Sequence, residues 1–240
     1  LQSIKDIFKH KGSDIAVFLG SGESINNITE AQWEKISTFD TWTTNNWLYH
    51  PFTPKFYHVE VKKYNREIWK KRRIESGDRF KETIFIINRD RKYLLDVIGE
   101  HEYIYGYKMH KINSKKKDIV PKYRPKKNPE ILTCNLNASL TMILELFWRF
   151  EYKKVVFFGT DMNNSKYFWT GRKEFGETHC QTNKDHEGKD PELPHGTAHL
   201  KNFIVWFSQK RMKKVGGEFC VGYTDTLLYP DLNLVNIEEL

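Results

Sequence analysis

Asp14-Ile15-Ala16-Val17-Phe18-Leu19-Gly20-Ser21-Gly22-Glu23-Ser24 is an apolar run that stops on a glycine turn. A short continuous apolar segment closed by glycine predicts a strand buried on both faces. Lys153–Asp161 has the same form, with Val155-Val156-Phe157-Phe158 ending in Gly159-Thr160-Asp161. Thr83-Ile84-Phe85-Ile86-Ile87 is another such run. Further strands are expected at 39–44, 55–62 and 218–223. A short helix or irregular turn is expected around 28–33. Helices are expected from Arg89 to Ile98 with Gly99 as the stop, from about Ala138 to Phe150 with Asn135 or Asn137 as cap, and from 196 to 214. Strands alternating with helices predict an α/β fold, a Rossmann-like, mainly parallel sheet sandwiched by helices. The chain reads as a single domain over 1–240. In such folds ligands sit beyond the carboxyl ends of the strands, where both glycine turns fall.

The 240 residues are enough for a sizeable core, and 15% aromatic side chains need somewhere to pack. A charged fraction of 29% and a mean hydropathy of −0.67 describe a polar globular chain with no span of 18 apolar residues. The opening Leu1-Gln2-Ser3 lacks a Met and an apolar signal region, and reads as a trimmed segment. Cys134, Cys180 and Cys220 lie 46 and 40 residues apart. That spacing suggests neither a disulfide framework nor a zinc site, and fits a reducing, cytoplasmic setting. A net charge of +8 favours anionic partners. Nine of the 20 residues in 108–127 are Lys or Arg, and 113–129 reads as a solvated basic linker or loop. Such a stretch can attract phosphorylated acceptors or an anionic membrane surface.

Three segments hold candidate chemistry. Gly20, Ser21 and Gly22 can bring main-chain amides against a phosphate, or can simply turn the chain into the next element. The motif is neither a Walker A loop nor a full dinucleotide fingerprint. Asp161, after Gly159 and Thr160, can accept from a ribose or base, hold a metal, or cap the next turn. The polar loop 162–194 and its flank contain Tyr167, Trp169, His179, His186, His195 and His199. His195 and His199 have the spacing of a helical metal pair, but the sequence between them lacks the zincin glutamate. A general base is the preferred role for one of them, and two polar residues at a helix start the plainer one.

Taken in order, these segments resemble the bacterial sialyltransferases of carbohydrate-active enzyme family 42 and related transferases that use CMP-activated nonulosonic acids or Kdo. Those enzymes have Gly-Asn-Gly-Pro-Ser after the opening strand, where this chain has Gly20-Ser21-Gly22-Glu23-Ser24. Their Phe-Asp followed by an asparagine resembles Phe39-Asp40 with Asn45. Their helix-starting serine stands one helix and one strand before Gly-Ile-Asp, as Ser139 stands before Gly159-Thr160-Asp161. Tyr152-Lys153-Lys154-Val155 is similar to their Gly-Tyr-Lys-Glu-Ile, and His195 matches a histidine ahead of an apolar helix. The family's third-strand asparagine has no counterpart near His58-Val59-Glu60, and its acceptor arginine has none near Leu136.

The resemblance implies a GT-A-variant, sialyltransferase-like fold and an inverting transfer from a CMP-sugar to a glycan or glycolipid hydroxyl, without a cofactor or metal. It implies His195 as general base, with His199 as rival, and Tyr167 beside Trp169 as phosphate donors. Ser139 would hold the donor carboxylate or phosphate, and Gly20–Gly22 with Ser21 the leaving phosphate. Gly159, Thr160 and Asp161, with Asn45 nearby, would take the cytidine and ribose. A lipopolysaccharide or capsule role is implied, peripheral to the inner membrane, with no nucleic-acid partner. Two other classes fit parts of the sequence. A nucleic-acid-binding protein would use the +8 charge, and would show steep salt dependence on random oligonucleotides. A pterin pyrophosphokinase-like enzyme would use the glycine turn and Asp161, and would require ATP and Mg²⁺. A non-catalytic domain of a larger glycosyltransferase is a further alternative.

Overall fold

The computed structural model describes residues 1–112, 123–135, 138–164, 166–171 and 197–240, without the side chains of 64, 134 and 135. Among the described residues ten strands form the sheet: β1 (Gln2–Ser3), β2 (Ile15–Leu19), β3 (Asp40–Thr44), β4 (Phe56–Val59), β5 (Ile84–Asn88), β6 (Ile104–Ile112), β7 (Ile131–Asn135), β8 (Lys154–Phe158), β9 (Glu218–Val221) and β10 (Asn233–Leu234). Their order is β1-β6-β5-β4-β3-β2-β8-β9-β10, with β7 paired to the second half of β6. Every strand pairing among the described residues is parallel.

Among the described residues the α-helices are α1 (Glu30–Ser37), α2 (Arg66–Glu75), α3 (Tyr93–Ile98), α4 (Ser139–Arg149) and α5 (Lys201–Lys210). Ala16, Phe18, Trp42, Phe56, Ile84 and Ile86 face the layer that contains α4 and α5. Val17, Leu19, Tyr57, Val59, Phe85 and Ile87 face the layer of α1, α2 and α3. Cover on both faces explains why β2, β5 and β8 are unbroken apolar runs. Each large side chain so buried contributes roughly 1.5–3 kcal/mol of transfer free energy. Trp42 stacks on Phe56 with ring centroids 4.2 Å apart.

Most expected elements are present with altered limits. β4 stops at Val59, so Glu60 leaves the ladder. The helix expected from Arg89 begins only at Tyr93, because Asn88 makes a turn first: its Oδ1 accepts from Asp90 N at 3.0 Å and its carbonyl from Arg91 N at 3.0 Å. α4 starts after Ala138, which offers no side-chain cap, and the cap expected of Asn135 or Asn137 falls on side chains outside the described residues. The helix expected over 196–214 is a 3-10 turn, α5 and a second 3-10 turn. α1 carries a reciprocal capping box between Thr29 and Gln32.

The solvated-loop reading of 113–129 holds for 124–129, which are exposed or half-buried and irregular, and fails at Tyr123; residues 113–122 lie outside the described residues. Tyr123 is fully buried against Phe203 and Phe207. Its hydroxyl donates to the buried Glu145 carboxylate at 2.7 Å, which also accepts from Thr133 N at 3.0 Å and from Arg149. Burial pushes the Cys220 thiol up to about 12, and the Cys134 side chain and Cys180 lie outside the described residues. Among the described residues no helix is long and apolar enough to cross a membrane.

Candidate functional site

β2 is the point where the strand order reverses. From it the chain runs to one side through β3, β4, β5 and β6, then crosses back to place β8 and β9 on the other side. A crevice opens at the carboxyl ends of the strands at such a switch point. A cavity of about 470 Å³ lies there. Gly20, Ser21, Gly22, Asn45, Ser139, Gly159, Thr160, Asp161, Tyr167 and Trp169 all line it. His195, His179, His186 and the rest of 172–196 lie outside the described residues. Thr197 reaches the cavity wall, whereas His199, half-buried in the turn Ala198–Leu200, is not among the described lining residues.

The two glycine turns are pressed together. Gly20 N donates to Phe158 O and Gly22 N to Gly159 O, both at 2.8 Å. A Cβ on Gly20 would stand 2.2 Å from Gly159 O, and one on Gly22 2.3 Å from Asp161 Oδ2. The glycines therefore serve close approach of two loops. This corrects the expectation that their amides are aimed at a phosphate, because the amides of Gly20 and Gly22 are already engaged.

Asp161 is 5% exposed and fastens this contact. Its Oδ2 accepts from Ser24 N at 3.0 Å and its Oδ1 accepts the Ser24 hydroxyl. Burial pushes the carboxyl above the usual carboxylate range, the hydrogen bonds from Ser24 pull it down, and Asp225 and Glu23 push it up again. The neighbouring Thr160 Oγ1 is buried and has no hydrogen-bond partner among the described residues, and so is Thr44 Oγ1 across the cavity. Buried hydroxyls in that condition are candidates for bonding a ligand.

The segment after β8 folds back over this floor. Phe168 N donates to Ser21 O at 3.1 Å, and Gly22 and Tyr167 form an antiparallel bridge. Tyr167 stacks on Trp169 at 4.6 Å with 9° between the planes. The far wall is built on Asn45, which has φ 53. Its carbonyl accepts from Trp69 Nε1 at 3.1 Å, and its Oδ1 from Glu60 N at 3.1 Å. Left-handed geometry is tolerated by asparagine.

Glu60 and Arg91 are functional candidates that sequence reasoning missed, and Thr44, Lys62, Lys166 and Thr197 line the same cavity. Glu60 Oε1 pairs with Arg91 Nη2 at 2.9 Å, and Oε2 accepts the Ser139 hydroxyl. The signal available was position: a charged residue directly after an apolar strand belongs to the ligand end of the sheet. Among the described residues no three His, Cys, Asp or Glu side chains gather as metal ligands.

No known family profile matches the chain, and no curated protein does. Solved structures do. A variant of the sialyltransferase CST-II in complex with CMP superposes with a TM-score of 0.53 at 12% identity, over 93% of this chain and 87% of that one. A second CST-II variant, also with CMP, gives 0.52 at 12% identity over the same shares. The α/β, Rossmann-like architecture is therefore shared with these sialyltransferases.

Proposed function

We propose that the chain is an inverting glycosyltransferase that moves a nonulosonate- or Kdo-like sugar from a CMP donor to a glycan or glycolipid hydroxyl. One observation carries this: the described site residues of the resemblance, Gly20–Gly22, Asn45, Ser139, Gly159–Asp161, Tyr167 and Trp169, come from chain segments far apart and line one cavity at the switch point of the sheet. The fold it shares with CMP-bound structures supports the same reading.

In this proposal the nucleoside lies over the Gly20–Gly22 and Gly159–Asp161 loops. Thr160 Oγ1 and the Asn45 amide bond its ribose and base. Asp161 shapes that floor through Ser24. The Tyr167 hydroxyl, held by the stack on Trp169, donates to the leaving phosphate. One phosphate presents less charge than a diphosphate, so hydroxyl and cationic donors can manage it without a metal. Displacement at the anomeric carbon passes through an oxocarbenium-like state. His195 takes the proton from the acceptor hydroxyl, since its ordinary pKa of about 6.5 leaves it mostly neutral at pH 7. The setting is cytoplasmic, with the basic stretch drawing acceptors at an anionic membrane, and no nucleic acid takes part.

Thermal unfolding in the presence of CMP, UDP and ATP, each with EDTA or Mg²⁺, tests the proposal. CMP should raise the midpoint most, and EDTA should not reduce the rise. A shift with ATP or UDP plus Mg²⁺, and none with millimolar CMP, would overturn it.

A further inference from the structure

We infer that Glu60 is a specificity residue of the same site: a receptor for hydroxyl groups of the transferred sugar, with Arg91 and Ser139 as its positioning residues. This rests on the CMP-sugar reading above. Glu60 follows β4, which lies two strands from β2 and three from β8. At about 4.8 Å per strand, Glu60 is roughly 10–14 Å along the sheet from the glycine turns. A nucleotide over those turns leaves the β4 side of the cavity to whatever the phosphate bears.

Three loops converge on Glu60 and fix it. Its amide is held by Asn45 Oδ1, one carboxylate oxygen by Arg91 and the other by Ser139. Its side chain is 13% exposed and that of Arg91 29%, so the pair forms a wall of the cavity and is not sealed in the core. An ionised carboxylate accepts at about four lone-pair sites and donates none. Arg91 and Ser139 occupy two, which leaves acceptor capacity toward the cavity. Arg91 offsets its charge, but the carboxylate oxygens themselves take hydroxyl donors and have nothing to donate to a phosphate or carboxylate.

The geometry also revises the part expected of Ser139. Its proton is committed to Glu60, so its oxygen faces a ligand as an acceptor. A serine so placed suits a sugar hydroxyl and not a donor carboxylate. The sugar portion that fits is a polyol, with its anionic groups turned away from β4.

The test compares wild type, Glu60→Gln and Glu60→Asp by calorimetric titration with CMP, CMP-N-acetylneuraminate and CMP-Kdo. Far-ultraviolet circular dichroism checks folding. In Glu60→Gln, affinity for CMP should stay within about twofold, and affinity for the CMP-sugar that wild type prefers should fall about 10–100-fold, as for a hydrogen bond to a charged group. Glu60→Asp keeps the charge but shortens the reach, and should lose CMP-sugar affinity alone by about tenfold. It decides the matter if Glu60→Gln does not fold. Equal losses for CMP and CMP-sugar, or no loss for either, would overturn the inference while the CMP reading stands. Absence of binding of CMP and both CMP-sugars to wild type would bring down the CMP reading and this inference together.

Discussion

Asp161 and Ser24 are joined twice, by the Ser24 amide at 3.0 Å and by the Ser24 hydroxyl, across 137 residues of chain. The loops after β2 and β8 are thereby one unit. Asp161→Ala should cost about 1–3 kcal/mol of stability, since two buried donors lose their acceptor. It should also weaken CMP binding, through displacement of the Gly20–Ser24 turn. Urea unfolding and CMP titration on the same preparation check both. Unchanged stability with weakened CMP binding would instead make Asp161 a direct nucleotide ligand.

Gly20→Ala should be the harsher of the two glycine substitutions in the first turn. Its Cβ meets the main-chain oxygen of Gly159 at 2.2 Å, whereas that of Gly22→Ala meets the Asp161 side chain at 2.3 Å. Main chain gives way less easily than a carboxylate, and overpacking costs about 1–3 kcal/mol. Melting of the two variants side by side measures the difference. Equal and negligible losses would mean that the loops are not closely apposed.

Tyr152→Phe should behave in the opposite way to the site variants. The Tyr152 hydroxyl donates to Asp40 Oδ2 at 2.8 Å and accepts from Trp42 Nε1 at 3.1 Å. Asp40 also binds Lys55 Nζ at 2.6 Å and Gly12 N at 3.0 Å. These groups stand at or before the starts of β2, β3, β4 and β8, the end of the sheet away from the cavity. The variant should lose about 1–3 kcal/mol and keep CMP affinity within about twofold. A marked fall in CMP affinity would show that the two ends are coupled.

His58 makes stability depend on pH. It is fully buried, its Nε2 lies 2.8 Å from the Tyr107 hydroxyl, and burial pushes it down to about 4. The unfolded chain takes up this proton near pH 6.5, the folded chain only near 4. Between those values the unfolded state binds more protons, so stability is complete above about 6.5 and falls as pH drops towards 4. The raised carboxyl of Asp161 acts in the opposite sense, so the useful quantity is a difference. Wild type should lose up to about 1.4 kcal/mol per pH unit more than His58→Gln in that window. Parallel pH profiles in urea would rule this out.

The legible parts of the fold were those whose burial repeats locally. β2, β5 and β8 are unbroken apolar runs because helices cover both faces, and Gly99 stops α3 with φ 80. β6 was missed because Lys108, His110 and Lys111 give its second half the composition of a loop, and pairing to β7 is what holds that half extended. α2 was missed because Trp69 is its single fully buried residue. The glycine turns and Ser139 were legible because strand ends and helix starts can be read locally. Arg91 was not, since its place depends on the turn at Asn88 that delays α3. Nor does the sequence show that the amides of Gly20 and Gly22 are engaged, because their acceptors come from a strand that arrives much later.

That late arrival also governs how the molecule is made. β2 ends up flanked by β3 and β8, yet during synthesis β3 to β6 are available long before residues 154–158 emerge. Until then Ile15–Leu19 is the open border of a half-built parallel sheet, apolar on both faces and lacking its second partner. Non-local parallel pairing of this kind is slow to form and exposed to aggregation while it waits. Yield of native protein should therefore depend on translation rate and on chaperones that shield this border, even where the finished fold is stable.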